Sequence, residues 1–166
     1  MSKFDELIEK ARNIQGAMTK AEKRKKKWQE EKISEVEDYI SEVIDHINNK
    51  DFEFKFGIKK TQSNFNVSGI ALDMEYDKKI IGSLKYSSNK NKTYFIKGGT
   101  LGFFPKYNGE IEIIYYEPEI HEHSDRTNRT SGKLINTIKV EEISKQMIQK
   151  YLGEFFERII KWESQE

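Results

Sequence analysis

The sequence predicts an α+β fold: a long N-terminal helix, an antiparallel β-meander of about five or six strands, and a C-terminal helix packed on the sheet. Three observations carry this reading. The first fifty residues hold apolar side chains at alternating steps of three and four, with no proline and one glycine. From Asp51 the apolar period drops to two, and from Val140 a helical period returns.

Phe4, Leu7, Ala11, Ile14, Met18, Ala21, Lys25 and Trp28 form a heptad series. A stripe this narrow buries one helix against another rather than against a broad core. A second series, Ile33, Val36, Ile40, Val43 or Ile44, and Ile47, runs one residue out of phase with the first. An unbroken helix of about 45 residues would span on the order of 70 Å, more than twice the width of a small domain, so part of it must project or bend. The slip between Trp28 and Ile33 sets the division: residues 1–30 are expected to project as a helical pairing segment, and residues 31–166 to form a single α+β globular domain. Lys25, at a core heptad position, would weaken pairing and specify register.

The strands follow in order. Phe52, Phe54, Phe56 and Ile58 alternate with Glu53, Lys55 and Gly57, which describes a strand with one dry face. Phe65 and Val67 are followed by Ile70, Leu72, Met74 and Tyr76 in the opposite phase, and Ser68-Gly69 at the switch predicts a β-bulge. Asp77-Lys78-Lys79 reads as a tight connection into a strand from Ile80 to Tyr86, and Asn89 to Lys92 as another into Thr93 to Lys97. Asn108-Gly109 is a hairpin signal opening Glu110 to Glu117. His121 to Lys133 is polar enough to be a loop, and Leu134 to Ile138 adds a short strand. The last helix, expected from Val140, shows a wide apolar face of Ile143, Met147, Ile148, Tyr151, Leu152, Phe155, Ile159 and Trp162, suited to covering a sheet.

Composition narrows the function classes. Lys plus Arg (29) nearly cancels Asp plus Glu (28), so no whole-chain field draws the protein to nucleic acid or anionic lipid, and any such binding needs a local patch. Cysteine is absent, which excludes disulfides and thiolate metal sites and fits a reducing cytoplasm, the expected location. The N-terminus alternates charged and apolar residues, unlike a secretory signal, and no window approaches the roughly 20 apolar residues of a membrane span. Asn66, Asn91 and Asn128 head Asn-x-Ser/Thr triplets that matter only in a secreted chain.

Several clusters bear on chemistry. The leading one is the seam itself, Phe4, Leu7, Ala11, Ile14, Met18, Ala21 and Trp28, expected to bind a protein partner, either a second copy in a homo-oligomer or another helix. The basic run Lys20, Lys23, Arg24, Lys25, Lys26 and Lys27 could grip nucleic acid through phosphates, with Trp28 available to stack. Glu22 before Lys26, and Glu30 and Glu31 after the run, compensate those charges locally. Glu117, Glu119, His121, His123 and Asp125 recur at every second residue. An extended chain would put them on one face, where His121, His123 and Asp125 could hold a divalent metal. That would make the protein a metal-dependent phosphodiesterase or nuclease; separate nuclease candidates are Asp45 followed by Glu53-Phe54-Lys55, and Asp73, Glu75 and Asp77 on one face of a strand. Gly98-Gly99-Thr100-Leu101-Gly102 lacks dinucleotide and P-loop spacing and reads as a turn rather than an anion nest. Phe103, Phe104, Tyr107, Tyr115 and Tyr116 could wall an apolar cavity between sheet and helix. No catalytic set emerges and no motif demands a cofactor. The sequence therefore favours a non-enzymatic, intracellular binding or regulatory protein acting through its N-terminal helix.

Overall fold

The computed structural model describes residues 2–62, 67–76, 94–122 and 131–164. Helix α1 (Lys3–Lys27) begins at Ser2. The Ser2 hydroxyl accepts from the Asp5 N–H (3.2 Å), and the Asp5 carboxylate accepts from the Ser2 N–H (2.8 Å). This reciprocal cap closes the first turn, and the Ser2 N–H and hydroxyl that donate to the Asp5 carboxylate hold its pKa below the ordinary value.

The chain does not leave the helix before α2 (Ile33–Asn48). Residues Trp28–Lys32 form a π-helical turn in which the Ile33 N–H donates to the Trp28 carbonyl. A π-turn holds one residue more than an α-turn, which is the one-residue slip between the two heptad series. Residues five apart on an α-helix lie about 140° apart. With the π-turn between them, Trp28 and Ile33 are both buried in the same core. Helix α2 continues that core through Val36, Ile40 and Ile44.

Strands β1 (Phe54–Gln62), β2 (Ser68–Tyr76), β4 (Thr100–Pro105), β5 (Ile111–Tyr116) and β7 (Gly132–Ile138) form one sheet in the order β1-β2-β4-β5-β7, every neighbouring pair antiparallel. Strands β3 (Tyr94–Lys97) and β6 (Glu119–Glu122) pair separately as a two-stranded ribbon. Period-two side chains Phe56, Ile70, Leu72, Leu101, Phe103, Ile111, Ile113 and Tyr115 make the dry face. Helix α3 (Lys145–Glu163) covers it through Ile148, Tyr151, Leu152, Phe155 and Ile159. The Phe155 ring meets Tyr115 and Phe56 edge-on, with centroids 5.7 and 6.2 Å apart. Asn48, the last residue of α2, donates to the Phe56 carbonyl (3.0 Å) and accepts from the Phe56 N–H (3.1 Å). The side chain thus stands in for a further strand along part of the β1 edge.

Two local expectations are revised. Val140–Glu142 is a 3-10 turn, and α3 starts after Ser144, an extended residue whose hydroxyl accepts from the Met147 N–H (3.2 Å). An N-cap serine outcompetes earlier helix formation because it satisfies an otherwise orphaned donor. Ser68-Gly69 is no bulge: the β1–β2 register runs unbroken to Thr61↔Gly69 and Gln62↔Ser68. Gly69 is small because the Phe104 ring lies across it, where a Cβ would stand 2.6 Å from the ring. The register shift falls instead on β5 against β7, between Ile113 and Ile114. The expected strand from Ile80 to Tyr86, with its connections at Asp77 to Lys79 and Asn89 to Lys92, lies outside the described residues.

Candidate functional site

From Ser2 to Lys20 every residue of α1 is exposed, including Phe4 (77 %), Leu7 (60 %), Ile14 (63 %) and Met18 (51 %). Ala11 belongs to the same exposed stripe, and Ile8 widens it. The body first meets the helix at Ala21. There the turn between β4 and β5 presses against α1 so closely that a Cβ on Gly109 would stand 2.5 Å from the Arg24 Cβ and 2.9 Å from the Ala21 carbonyl oxygen. The turn itself closes through Lys106 N–H to Glu110 O (2.7 Å) and Gly109 N–H to Lys106 O (3.0 Å), with Gly109 at φ +80°. That backbone conformation and the close approach both require glycine.

Trp28 leaves the seam. It is 0 % exposed, and its indole N–H donates to the Ser68 carbonyl at 2.7 Å. The neighbouring Gln29 side-chain oxygen accepts from the Ser68 N–H at 3.0 Å. Both main-chain groups of Ser68 are therefore held by the helix, and Trp28 anchors α1 to its own body instead of offering a face to a partner. Heptad spacing alone treats Trp28 like Leu7 or Ile14. Only the strand forty residues away distinguishes them.

The basic run divides likewise. Lys20, Lys23 and Lys26 are exposed, whereas Arg24 packs against the β4–β5 turn and Lys27 is half-buried. Lys25 is held in place: its side chain is largely covered, pairs with Glu22 at 2.5 Å and lies over the Tyr107 ring at 4.9 Å. With Trp28 in the core, no aromatic side chain within the run is free to stack on a base.

The backbone of His121 lies in β6, opposite Phe95 of β3. His123 and Asp125 lie outside the described residues. Among the described residues no group of three or more His, Asp or Glu is gathered to hold a metal ion. Asp73 is engaged elsewhere, accepting from the Thr100 hydroxyl at 2.6 Å and pairing with Lys59. Asp45 stands exposed on α2, while Lys55 is on β1 and Glu53 precedes it.

Gly98 and Gly99 have positive φ (90° and 68°) where the chain passes from the ribbon into β4. The Gly99 N–H donates to the Tyr116 carbonyl at 2.9 Å, so that amide is not free for an anion. The aromatic group also separates: Phe103 and Tyr115 face the core, Phe104 lies over Gly69 and Gly102, and Tyr107 stands on the exposed turn. Beside Tyr115 is a cavity of about 10 Å³ that Tyr151, Glu154, Phe155 and Arg158 help to line. That volume suits a single water and no organic ligand. The Tyr115 hydroxyl is buried there with no hydrogen-bond partner among the described residues, under an Arg158 guanidinium 5.3 Å from its ring. Burial first, and the Glu117 charge second, push its pKa up to about 12 against the opposing pull of Arg158.

No helix among the described residues is long and apolar enough to cross a membrane. No protein-family model, curated protein or solved structure matches the chain.

Proposed function

We propose that this is a non-enzymatic binding or regulatory protein, working inside the cell through a helical protein–protein interface made by Phe4, Leu7, Ala11, Ile14 and Met18. The supporting observation is the exposed apolar stripe on residues 2–20, a stretch of α1 that the described residues of the body leave uncovered. A helix of this length is marginal in water by itself, and most helical stability in proteins comes from packing an apolar face. A second helix laid along the stripe supplies that packing. The absence of cysteine suits a reducing compartment.

Native mass spectrometry of the wild type and of a Leu7→Asp/Ile14→Asp variant tests the reading. Both positions are exposed, so the body should keep its fold. The expected result is an assembled species that falls to the 19.6 kDa single-chain mass in the variant. An assembly whose mass the two aspartates leave unchanged overturns it.

A further inference from the structure

We infer that Asn108 is a site of spontaneous covalent modification, deamidation through the Gly109 nitrogen, and that contact between the β4–β5 turn and α1 is the brake on it. The inference does not depend on what the apolar stripe of α1 binds. Asn108-Gly109 is the one Asn-Gly pair in the sequence. Asparagine is a thermolabile residue, and a following glycine makes it most reactive because no Cβ obstructs ring closure. The Gly109 nitrogen attacks the side-chain amide carbon of Asn108. A new N–C bond closes a five-membered imide, the bond to the side-chain nitrogen breaks, and that nitrogen leaves as ammonia with the proton Gly109 has lost. Water then adds to one of the two imide carbonyls, giving aspartate or isoaspartate. Asn108 is exposed, so water has access to the imide.

The folded turn engages every group this reaction needs. The attacking nitrogen is tied up, because the Gly109 N–H donates to the Lys106 carbonyl at 3.0 Å. The amide to be attacked is held twice by Glu110: its oxygen accepts from the Glu110 N–H at 3.1 Å, and its nitrogen donates to the Glu110 carboxylate at 2.8 Å. Closing the ring must turn the Asn108–Gly109 peptide, and Gly109 has no room to move. It is buried against α1, where even a Cβ would stand 2.5 Å from the Arg24 Cβ and 2.9 Å from the Ala21 carbonyl oxygen. Lys25 of the same helix lies over the Tyr107 ring of the turn at 4.9 Å. Reaction therefore waits for the turn to part from α1, and its rate follows the population of that open form.

The product does not fit back. Aspartate at position 108 sets a carboxylate where an amide donated to the Glu110 carboxylate, and Lys106, 3.8 Å from the same oxygen, offsets only part of the repulsion. Isoaspartate adds a methylene to the backbone of a turn already in contact with Ala21 and Arg24. Modification thus loosens the turn's hold on α1, and each opening makes the next more frequent.

Peptide mapping by mass spectrometry follows the exchange of side-chain nitrogen for oxygen at Asn108 in the full chain held at physiological temperature. The expected rate is at least about tenfold lower in the folded protein than in urea. Arg24→Gly removes the Cβ against which Gly109 packs and should raise the folded-state rate about threefold or more, whereas Ile159→Val, which weakens the core at α3, should leave it unchanged. No conversion at Asn108 in urea overturns the site. Equal rates in the folded and unfolded chain overturn the protection, and equal acceleration by the two variants overturns α1 as the brake. Asn108→Asp, which reproduces the new charge, should lower Tm by about 2–4 °C. An unchanged Tm overturns the loosening.

Discussion

Removing one residue from the middle of a helix normally turns everything beyond it by about 100° and strips one face from the core. At Glu31 the opposite is expected. Trp28–Lys32 is a π-turn carrying one residue in excess of an α-turn, and Glu31 is an exposed member of it. Without it the turn can relax to α-helix, with Trp28 and Ile33 now four residues apart and about 40° from each other, still on one face. Gln29, which accepts from the Ser68 N–H, is kept, and the Lys32–Glu35 pair keeps its spacing. Deleting Glu31 should therefore change the folding free energy by no more than about 1 kcal/mol, the scale of a surface substitution. Deleting Asp38, also exposed but in regular α-helix, rotates Ile40 and Ile44 off the sheet while Trp28, Ile33 and Val36 stay on it. Each displaced isoleucine forfeits about 2–5 kcal/mol of burial and packing, so the loss is on the order of 5 kcal/mol, comparable to the whole stability of a small domain. Urea unfolding followed by circular dichroism compares the two deletions with wild type. Equal losses in both would refute the assignment of the heptad slip to the π-turn.

Two further substitutions probe the core and the helix–body contact. Tyr115→Phe removes a buried hydroxyl that lacks a partner among the described residues, and should raise stability by about 1 kcal/mol at neutral pH, read as a higher Tm. A lower Tm would show that the hydroxyl is partnered. The same variant carries a pH signature. The folded phenol titrates at about 12 against an ordinary 10.0, so the folded state holds its proton longer and stability falls as pH rises between those values. Tyr115→Phe should show a shallower fall in that window than wild type. Gly109→Ala forces a side chain to within 2.5 Å of the Arg24 Cβ at a positive φ, and should cost about 2 kcal/mol or more. Gly16→Ala, in the exposed helix with nothing within 4 Å, should instead stabilise by roughly 0.5–1 kcal/mol. Thermal unfolding checks the opposite signs, and equal signs would refute the close approach at the turn.

The fold was legible wherever a period could be counted. The one-residue slip between the two apolar series falls between Trp28 and Ile33, where the structure places the π-turn, although the slip alone names no helix type. Asn108-Gly109 located the β4–β5 turn, and the alternation from Phe54 to Ile58 the first strand. Periodicity identifies an apolar face without saying what covers it, and there the reading diverged. Trp28 shares the spacing of Ile14 but packs under β2, because Ser68 offers a carbonyl to its indole. Gly69 read as a bulge because the residue that requires it, Phe104, lies on another strand. Tyr115 and Arg158 come together across a sheet and a helix, a juxtaposition no local pattern encodes.

The π-turn matters to the proposed interface because it joins the helix that carries the seam to the core without a break. Starting a helix is the unfavourable step, while extending one adds a hydrogen bond for each residue fixed. Residues 2–20 need no nucleus of their own, since α1 grows from a segment already clamped by Trp28, Gln29 and the Gly109 turn. The clamp also sets the direction of the stripe. No loop intervenes between Met18 and Trp28, so the rotation of the seam about the helix axis is dictated by which face Trp28 buries. Had the heptad run on through residue 32 in regular α-helix, α2 and the seam would still share a face, and the surplus residue would serve no purpose in aligning them. Trp28 and Gln29, neighbours at the start of the π-turn, take both main-chain groups of Ser68. A helix held at that end presents Phe4 to Met18 in one rotational setting relative to the body. In the proposed interface, the ordering that the body imposes on this end of the helix lowers the entropy cost of docking a partner.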